Sequence, residues 1–254
     1  MGIKTKKDIF VLITCVIFAL MNIAAVEHRG RERAKRIVCL ANLKQLTAAC
    51  NVFADENGGM MPLPRTAGNW LQDVDVKTVN FMLGTGITRK MFYCPSNTSH
   101  QKYSDLFWLY SNQTWDGERF LIELGFVISG YCPILQTTTG NRPAIITYVK
   151  DTEKKIWIST NQESSPATRE LFVDSIMGIV QSNTKYGRNF GQIPGGIYSL
   201  SAVYDRTNHL MNDDNPPGGN IGFLDGHGEW RMFEPDIENG VAVPRYGNNP
   251  GFFW

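Results

Sequence analysis

The chain has 254 residues, enough for one generous domain with its own core, and 43% of them are hydrophobic against 19% charged. Lys and Arg number 25 and Asp and Glu 24, so the net charge is +1 and no basic excess exists to hold a nucleic acid. The one dense basic cluster, Arg29, Arg31, Arg33, Lys35 and Arg36, directly follows an apolar run, and its first reading is contact with a membrane surface.

That run, Ile9 to Val26, reads IFVLITCVIFALMNIAAV, with Asn22 its only strongly polar side chain. As a helix its 18 residues span about 27 Å, close to the hydrocarbon thickness of a bilayer. A cleaved signal peptide would end at Ala24-Ala25, and a lipoprotein signal at Cys15 would need small residues where Leu12, Ile13 and Thr14 stand. The residues beyond the run favour a retained helix. Glu27 to Asn57 contains no Pro and only one Gly, Gly30. Cys39, Leu43, Leu46, Cys50 and Phe53 recur at steps of four and three, an apolar stripe of helical period, while Arg36, Lys44, Gln45 and Asp55 are read as lying off it. Gly58-Gly59 then ends the pattern. The expectation is one helix from about residue 8 to 57. Lys4, Lys6 and Lys7 favour a cytoplasmic start, although the basic cluster beyond the run weakens a charge-based orientation.

The remainder reads as short strands with tight turns. Alternating, β-branched or aromatic runs fall at Ala144–Lys150, Lys155–Thr160, Leu171–Met177, Tyr198–Tyr204, Asn220–Leu224 and Glu229–Phe233. Asp225-Gly226-His227-Gly228 between the last two is a hairpin turn. Extra helices or irregular insertions are expected between Trp70 and Gly86 and between Phe107 and Gly130. The runs predict an antiparallel sheet with the long helix covering one face.

Several polar groups merit weighing. Asp213, Asp214 and Asn215, with Asp225, offer hard oxygen ligands for calcium, against a plain solvated turn in NDDNPPGG. Asp174, His209 and Asp225 form a possible transition-metal or hydrolytic set, against hydrogen bonding of His209 and Asp225 within the final hairpin. No CxxC or HxxxH spacing points to zinc, and no cysteine has an evident His partner for a catalytic thiol. GxSxG, P-loop, GxGxxG and HExxH motifs are absent. Trp70, Trp108, Trp115, Trp157, Trp230 and Trp254 fit a sugar-binding face or a core. Of the five cysteines, Cys15 lies in the apolar run as a small apolar residue. Cys39 and Cys50 stand about 16 Å apart along one helix and cannot pair with each other. Cys39–Cys94 with Cys50–Cys132, the crossed pairing, or no bridge all remain open.

The stretch Arg31 to Pro62, RERAKRIVCLANLKQLTAACNVFADENGGMMP, resembles type II secretion pseudopilins and type IV pilin-like proteins, especially a planctomycete-type group. Phe92-Tyr93-Cys94-Pro95-Ser96, Leu171-Phe172-Val173-Asp174-Ser175 and a late His209 followed by Asp225-Gly226 agree with that group in the same order. The chain departs from the prepilin pattern at Lys6-Lys7-Asp8-Ile9-Phe10: no Gly precedes the cleavage position, and Leu12 stands where a Glu is usual. The resemblance implies an α+β pilin-like fold. In it, residues 1–7 are a cytoplasmic N-terminus, 8–27 a transmembrane helix, 28–57 its amphipathic continuation, and 58–254 a β-rich head outside the cytoplasm. Leu43, Leu46 and Phe53 seat the helix on the sheet. The resemblance favours the Cys39–Cys94 disulfide and makes a late calcium loop suggestive. It implies a non-catalytic subunit of a secretion or pilus assembly. Its partners would be the inner membrane, the assembly machinery and copies or homologues of itself, meeting through small residues such as Ala19, Ala24 and Ala25. The alternatives are a surface-anchored polysaccharide-binding module and a metal-dependent hydrolase.

Overall fold

Helix α1 runs unbroken from Lys6 to Glu56, 51 residues, in a computed structural model. The structure describes residues 5–62, 70–110, 114–122, 124–135, 157–198, 201–211, 215–247 and 250–254. The helix persists because no proline removes a donor from its ladder. It stops where Gly58 and Gly59 take left-handed φ of 65° and 87°, which lets the Gly59 N–H fold back to the Ala54 carbonyl at 2.7 Å. From Ile9 to Met21 the described apolar side chains are exposed around the helix, Phe10 at 72% and Phe18 at 68%. The helix is long and apolar enough to cross a membrane. Its segment Gly30–Glu56 is apolar as well, but 44% of that segment's apolar window is buried inside the fold, so its apolarity serves the core. The exposed apolar stretch is Ile9–Phe18.

Beyond α1, β1 (Asp73–Asp75) pairs antiparallel with β2 (Phe126–Ile128). Between them lie α2 (Val76–Gly84), α3 (Thr98–Lys102) and α4 (Ser104–Trp108). The Asp75 carboxylate caps α2, accepting from the N–H groups of Lys77 and Thr78. The later strands are β3 (Tyr131–Pro133), β4 (Glu170–Asp174), β5 (Ile176–Val180), β6 (Arg188–Asn189), β7 (Ile193–Tyr198), β8 (Ser201–Asp205), β9 (Gly218–Phe223) and β10 (Gly228–Met232). The chain closes with β11 (Ile237–Glu238), β12 (Val241–Ala242), β13 (Tyr246–Gly247) and β14 (Gly251–Phe253).

The fold is α+β, with several small antiparallel sheets in place of the one expected. The main sheet has the order β10-β9-β4-β3, and a second the order β13-β14-β5-β6. The split falls inside the run read as one strand, Leu171–Met177. At Ser175 the N–H donates to the Gly130 carbonyl and the C=O accepts from Asn208, so the backbone leaves one ladder before joining the next. The run Tyr198–Tyr204 likewise straddles the end of β7 and the start of β8. Of Lys155–Thr160, residues 157–160 are described and form only isolated bridges, Ile158 to Leu135 and Thr160 to Met60. Ala144–Lys150 lies outside the described residues. The hairpin turn is as read: Gly226 takes φ 87°, and Gly228 pairs with Gly222.

Helix α1 lies across β9, β4 and β10. It approaches closely because those strands are glycine-rich at the contact. A Cβ at Gly222 would sit 3.2 Å from Thr47 Oγ1, and one at Gly228 only 2.6 Å from Leu40 Cδ1. Cys39, Leu43, Leu46 and Cys50 are fully buried, while Phe53 is half-buried with its ring edge-on to Phe81 at 4.7 Å. Each large side chain so buried contributes about 1.5–3 kcal/mol.

Glu170 ties three parts of the head together. Its carboxylate accepts from Arg231 of β10 at 2.6 Å, from Arg245 at 3.1 Å and from the Trp254 indole N–H. Burial would raise its pKa, but the two guanidiniums and the indole outweigh burial and hold it below the ordinary carboxylate value. A depressed folded pKa stabilises above the unfolded value, near 4.3, and that stabilisation disappears as pH falls through the folded value. Both arginines are partly solvated, so Glu170→Gln should cost only about 1–2 kcal/mol at neutral pH. The difference from wild type should vanish in acid. Urea unfolding at pH 7 and pH 3 checks this, and equal loss at both pH values would reject the ionic account.

Candidate functional site: a buried thiol, imidazole and carboxylate cluster

Four segments bring one potential ligand each to a single buried point. Cys39 comes from the inner face of α1 and Cys94 from the turn after the Arg89–Phe92 helical turn. Asp174 ends β4, and His209 follows β8. One ligand atom from each lies within 4.8 Å of all the others, and all four residues are buried. The two sulfurs, both free thiols, stand 2.7 Å apart. His209 Nε2 is 3.2 Å from Asp174 Oδ2 and 3.5 Å from Cys94 Sγ.

The surrounding bonds fix these groups. His209 Nδ1 faces Glu32 Oε1 at 2.8 Å, and Glu32 Oε2 accepts from Ser96 Oγ at 2.7 Å. Arg36 lies 3.7 Å from Glu32 and stacks over Trp230 at 3.9 Å, while Trp230 meets the His209 ring edge-on. Asp174 accepts from Asn208 Nδ2 at 2.9 Å and from both the N–H and the side-chain amide of Asn220. Gly219 next to Asn220 keeps space for this: a Cβ there would lie 3.0 Å from Asp174 Cβ. Tyr131 donates to Cys39 Sγ at 3.3 Å, and the Ser96 N–H to Cys94 Sγ at 3.4 Å. His209 holds φ at 56°, a left-handed conformation that costs a non-glycine residue about 1 kcal/mol or more.

The charges follow from this geometry. Burial would lower the His209 pKa, but the Asp174 carboxylate and the Cys94 sulfur outweigh it and push it to about 12, so the imidazole is a cation between carboxylates. Burial would raise the Cys94 thiol, yet the bond from Cys39 and the imidazolium bring it down to about 7. Burial and the bond to Cys94 push the Cys39 thiol well up, so Cys39 donates and Cys94 accepts. Glu32 is held below its ordinary value: burial would raise it, but His209 and Ser96 prevail.

A second buried network adjoins the first. Asp205 accepts from Gln72 at 3.0 Å and from Asn97 at 3.2 Å, and faces His100 Nε2 at 3.1 Å. Asn97 also donates to Asn208 at 3.2 Å, linking the two networks.

Cys39, Cys94, Asp174 and His209 thus meet, although linear spacing discounted both zinc and a thiol with a His partner. Asp225 does not join them. It is exposed and pairs with His227 across the hairpin turn at 2.5 Å, so the set of Asp174, His209 and Asp225 is not a site, and no Asp225–His209 bond fixes the hairpin. Asp213 and Asp214 of the calcium reading lie outside the described residues, and Asn215 is half-buried. Cys50 and Cys132 are buried, form no disulfide with each other, and lie in two different apolar clusters. Trp108 is buried in the core and the other five tryptophans are partly buried.

Glu32, Arg36 and the Asp205–His100 pair were not singled out as site residues. A signal for the first two existed. Extending the stripe back from Cys39 by three and then four residues reaches Arg36 and Glu32, so Arg36 lies on the stripe and not off it. No family model, curated protein or solved structure matches this chain.

Proposed function

We propose that the chain is a non-catalytic, membrane-anchored structural subunit of pilin-like design, part of a secretion or pilus assembly of the type II or type IV kind. One observation carries this reading. A single helix exposes the described apolar side chains of its early part, from Ile9 to Phe18 and Met21, and is seated in a β-rich head by a buried stripe in its second half. Such a helix suits lipid at one end and a protein sheet at the other. The N-terminus lies in the cytoplasm, the head outside it, and the partners are copies or homologues of the chain. The burial of Cys39, Cys94, Asp174 and His209, each at 1% exposure or less, favours a structural role for that cluster over substrate turnover.

Cys15, exposed on the apolar half, supplies the test. Alkaline carbonate extraction should leave the chain in the membrane pellet. Thiol oxidation of those membranes should give a disulfide-linked dimer that Cys15→Ser abolishes. Release by carbonate sinks the anchor, and a pellet fraction with no Cys15 adduct sinks helix-mediated self-association.

A further inference from the structure

We infer that Cys39, Cys94, Asp174 and His209 form a closed structural site for one divalent transition ion, Zn2+ by donor preference, which locks the lower part of α1 onto the head. Two sulfurs, one nitrogen and one carboxylate oxygen are the donor types of tetrahedral zinc sites. Zinc bonds of about 2.0–2.3 Å require ligand atoms roughly 3.3–3.8 Å apart. Here the sulfurs, at 2.7 Å, must open by about 1 Å, and the widest pair, within 4.8 Å, must close by about as much.

The surroundings are those of ligands already aimed. Glu32 on Nδ1 of His209 leaves Nε2 pointing at Cys94 and Asp174, a carboxylate–histidine arrangement that orients a metal-bound imidazole. Asn208 and Asn220 hold the Asp174 carboxylate. Tyr131 and the Ser96 N–H each donate to a ligand sulfur, bonds that favour thiolate. Binding displaces whatever protons Cys39, Cys94 and Nε2 of His209 carry, because only the deprotonated groups coordinate. A groove of about 520 Å3, lined by Glu32, Arg36, Asn220 and Trp230, comes as close as Glu32, with the four ligands themselves buried beneath it. This inference does not rest on the anchored-subunit reading, since metal occupancy is read independently of membrane partition.

The test uses the full chain, reduced, in detergent micelles, with Co2+ alone and then Zn2+ in competition. The expected result is one Co2+ per chain, with thiolate charge-transfer bands and tetrahedral d–d bands that Zn2+ abolishes. Cys50→Ala and Cys132→Ala should leave the spectrum intact, whereas Cys39→Ser and Cys94→Ser should remove it. Glu32→Gln, a positioning change, should weaken Zn2+ affinity roughly 10- to 100-fold while keeping the tetrahedral spectrum. If the Cys39 or Cys94 variant fails to fold, the wild-type spectrum decides. The site is overturned if the reduced wild-type chain shows no cobalt–thiolate bands. It is also overturned if the bands survive loss of both Cys39 and Cys94, or if a Cys39–Cys94 disulfide forms and the chain takes up no cobalt once reduced.

Discussion

Leu46→Asp should unfold the head. Leu46 is fully buried at the middle of the α1 stripe, among Leu43, Cys50 and residues of β4. Truncation of a buried leucine alone costs about 2–5 kcal/mol. A carboxylate at that position adds several more, because it would be buried in an apolar cluster. The sum approaches the whole stability of an ordinary domain, about 5–15 kcal/mol. Near-ultraviolet circular dichroism and tryptophan emission of the full chain in detergent report the packing of the head, separately from the helix that lipid or detergent supports. Both should lose their cooperative transition in Leu46→Asp. Gln45→Asp, one position away on the exposed face, should stay within about 0.5 kcal/mol of wild type. If Leu46→Asp keeps the wild-type midpoint, the seating of α1 on the sheet is wrong.

That prediction could be framed from the sequence because helical periodicity is local. Cys39, Leu43, Leu46 and Cys50 announce their common face by spacing alone, and Gly58-Gly59 announces the end. The Asp225-Gly226 turn is local in the same sense, since a left-handed φ is needed at one named residue. The division into several sheets was not legible. Leu171 to Met177 is interrupted by the polar pair Asp174-Ser175, but such a pair also fits within a single strand, so by itself it does not mark Ser175 as the point where the backbone turns to Gly130 and Asn208. The cluster was less legible still. Cys94 and His209 are 115 positions apart and Cys39 and Cys94 are 55 apart, so no motif joins them. Glu32 is the exception: as the one acid within RERAKR, in phase with Cys39, it carried a signal that its basic neighbours hid. Asp174 and His209 are grouped from the sequence and do meet at 3.2 Å, but Asp225, grouped with them, pairs instead with His227 on the exposed hairpin turn, and neither thiol is joined to them by spacing.

Asp174→Ala carries the second large effect, and it separates the electrostatic role of the cluster from any bound ion. Asp174 accepts from the Asn220 N–H, also takes the amides of Asn220 and Asn208, and faces the His209 imidazolium. Removing the carboxylate takes an acceptor from several buried donors, each loss costing about 1–3 kcal/mol, and leaves a buried cation with Glu32 and the Cys94 sulfur as its remaining counter-charges. Breaking a buried pair by deleting one partner costs about 3–5 kcal/mol in sum. Because α1, β4, β9 and the His209 turn all converge on this carboxylate, the loss should fall on the whole head and not on one loop. Unfolding in urea with chelator in every sample excludes lost metal as the cause, and Trp230, edge-on to His209, supplies the fluorescence signal. The midpoint of Asp174→Ala should drop by an amount equivalent to about 3–5 kcal/mol, while Asp174→Asn, which keeps one acceptor oxygen, should lose less. A shift below about 1 kcal/mol in Asp174→Ala would mean that solvent or a neighbouring carbonyl satisfies these donors. In that case the cluster does not hold the helix to the head in the absence of metal.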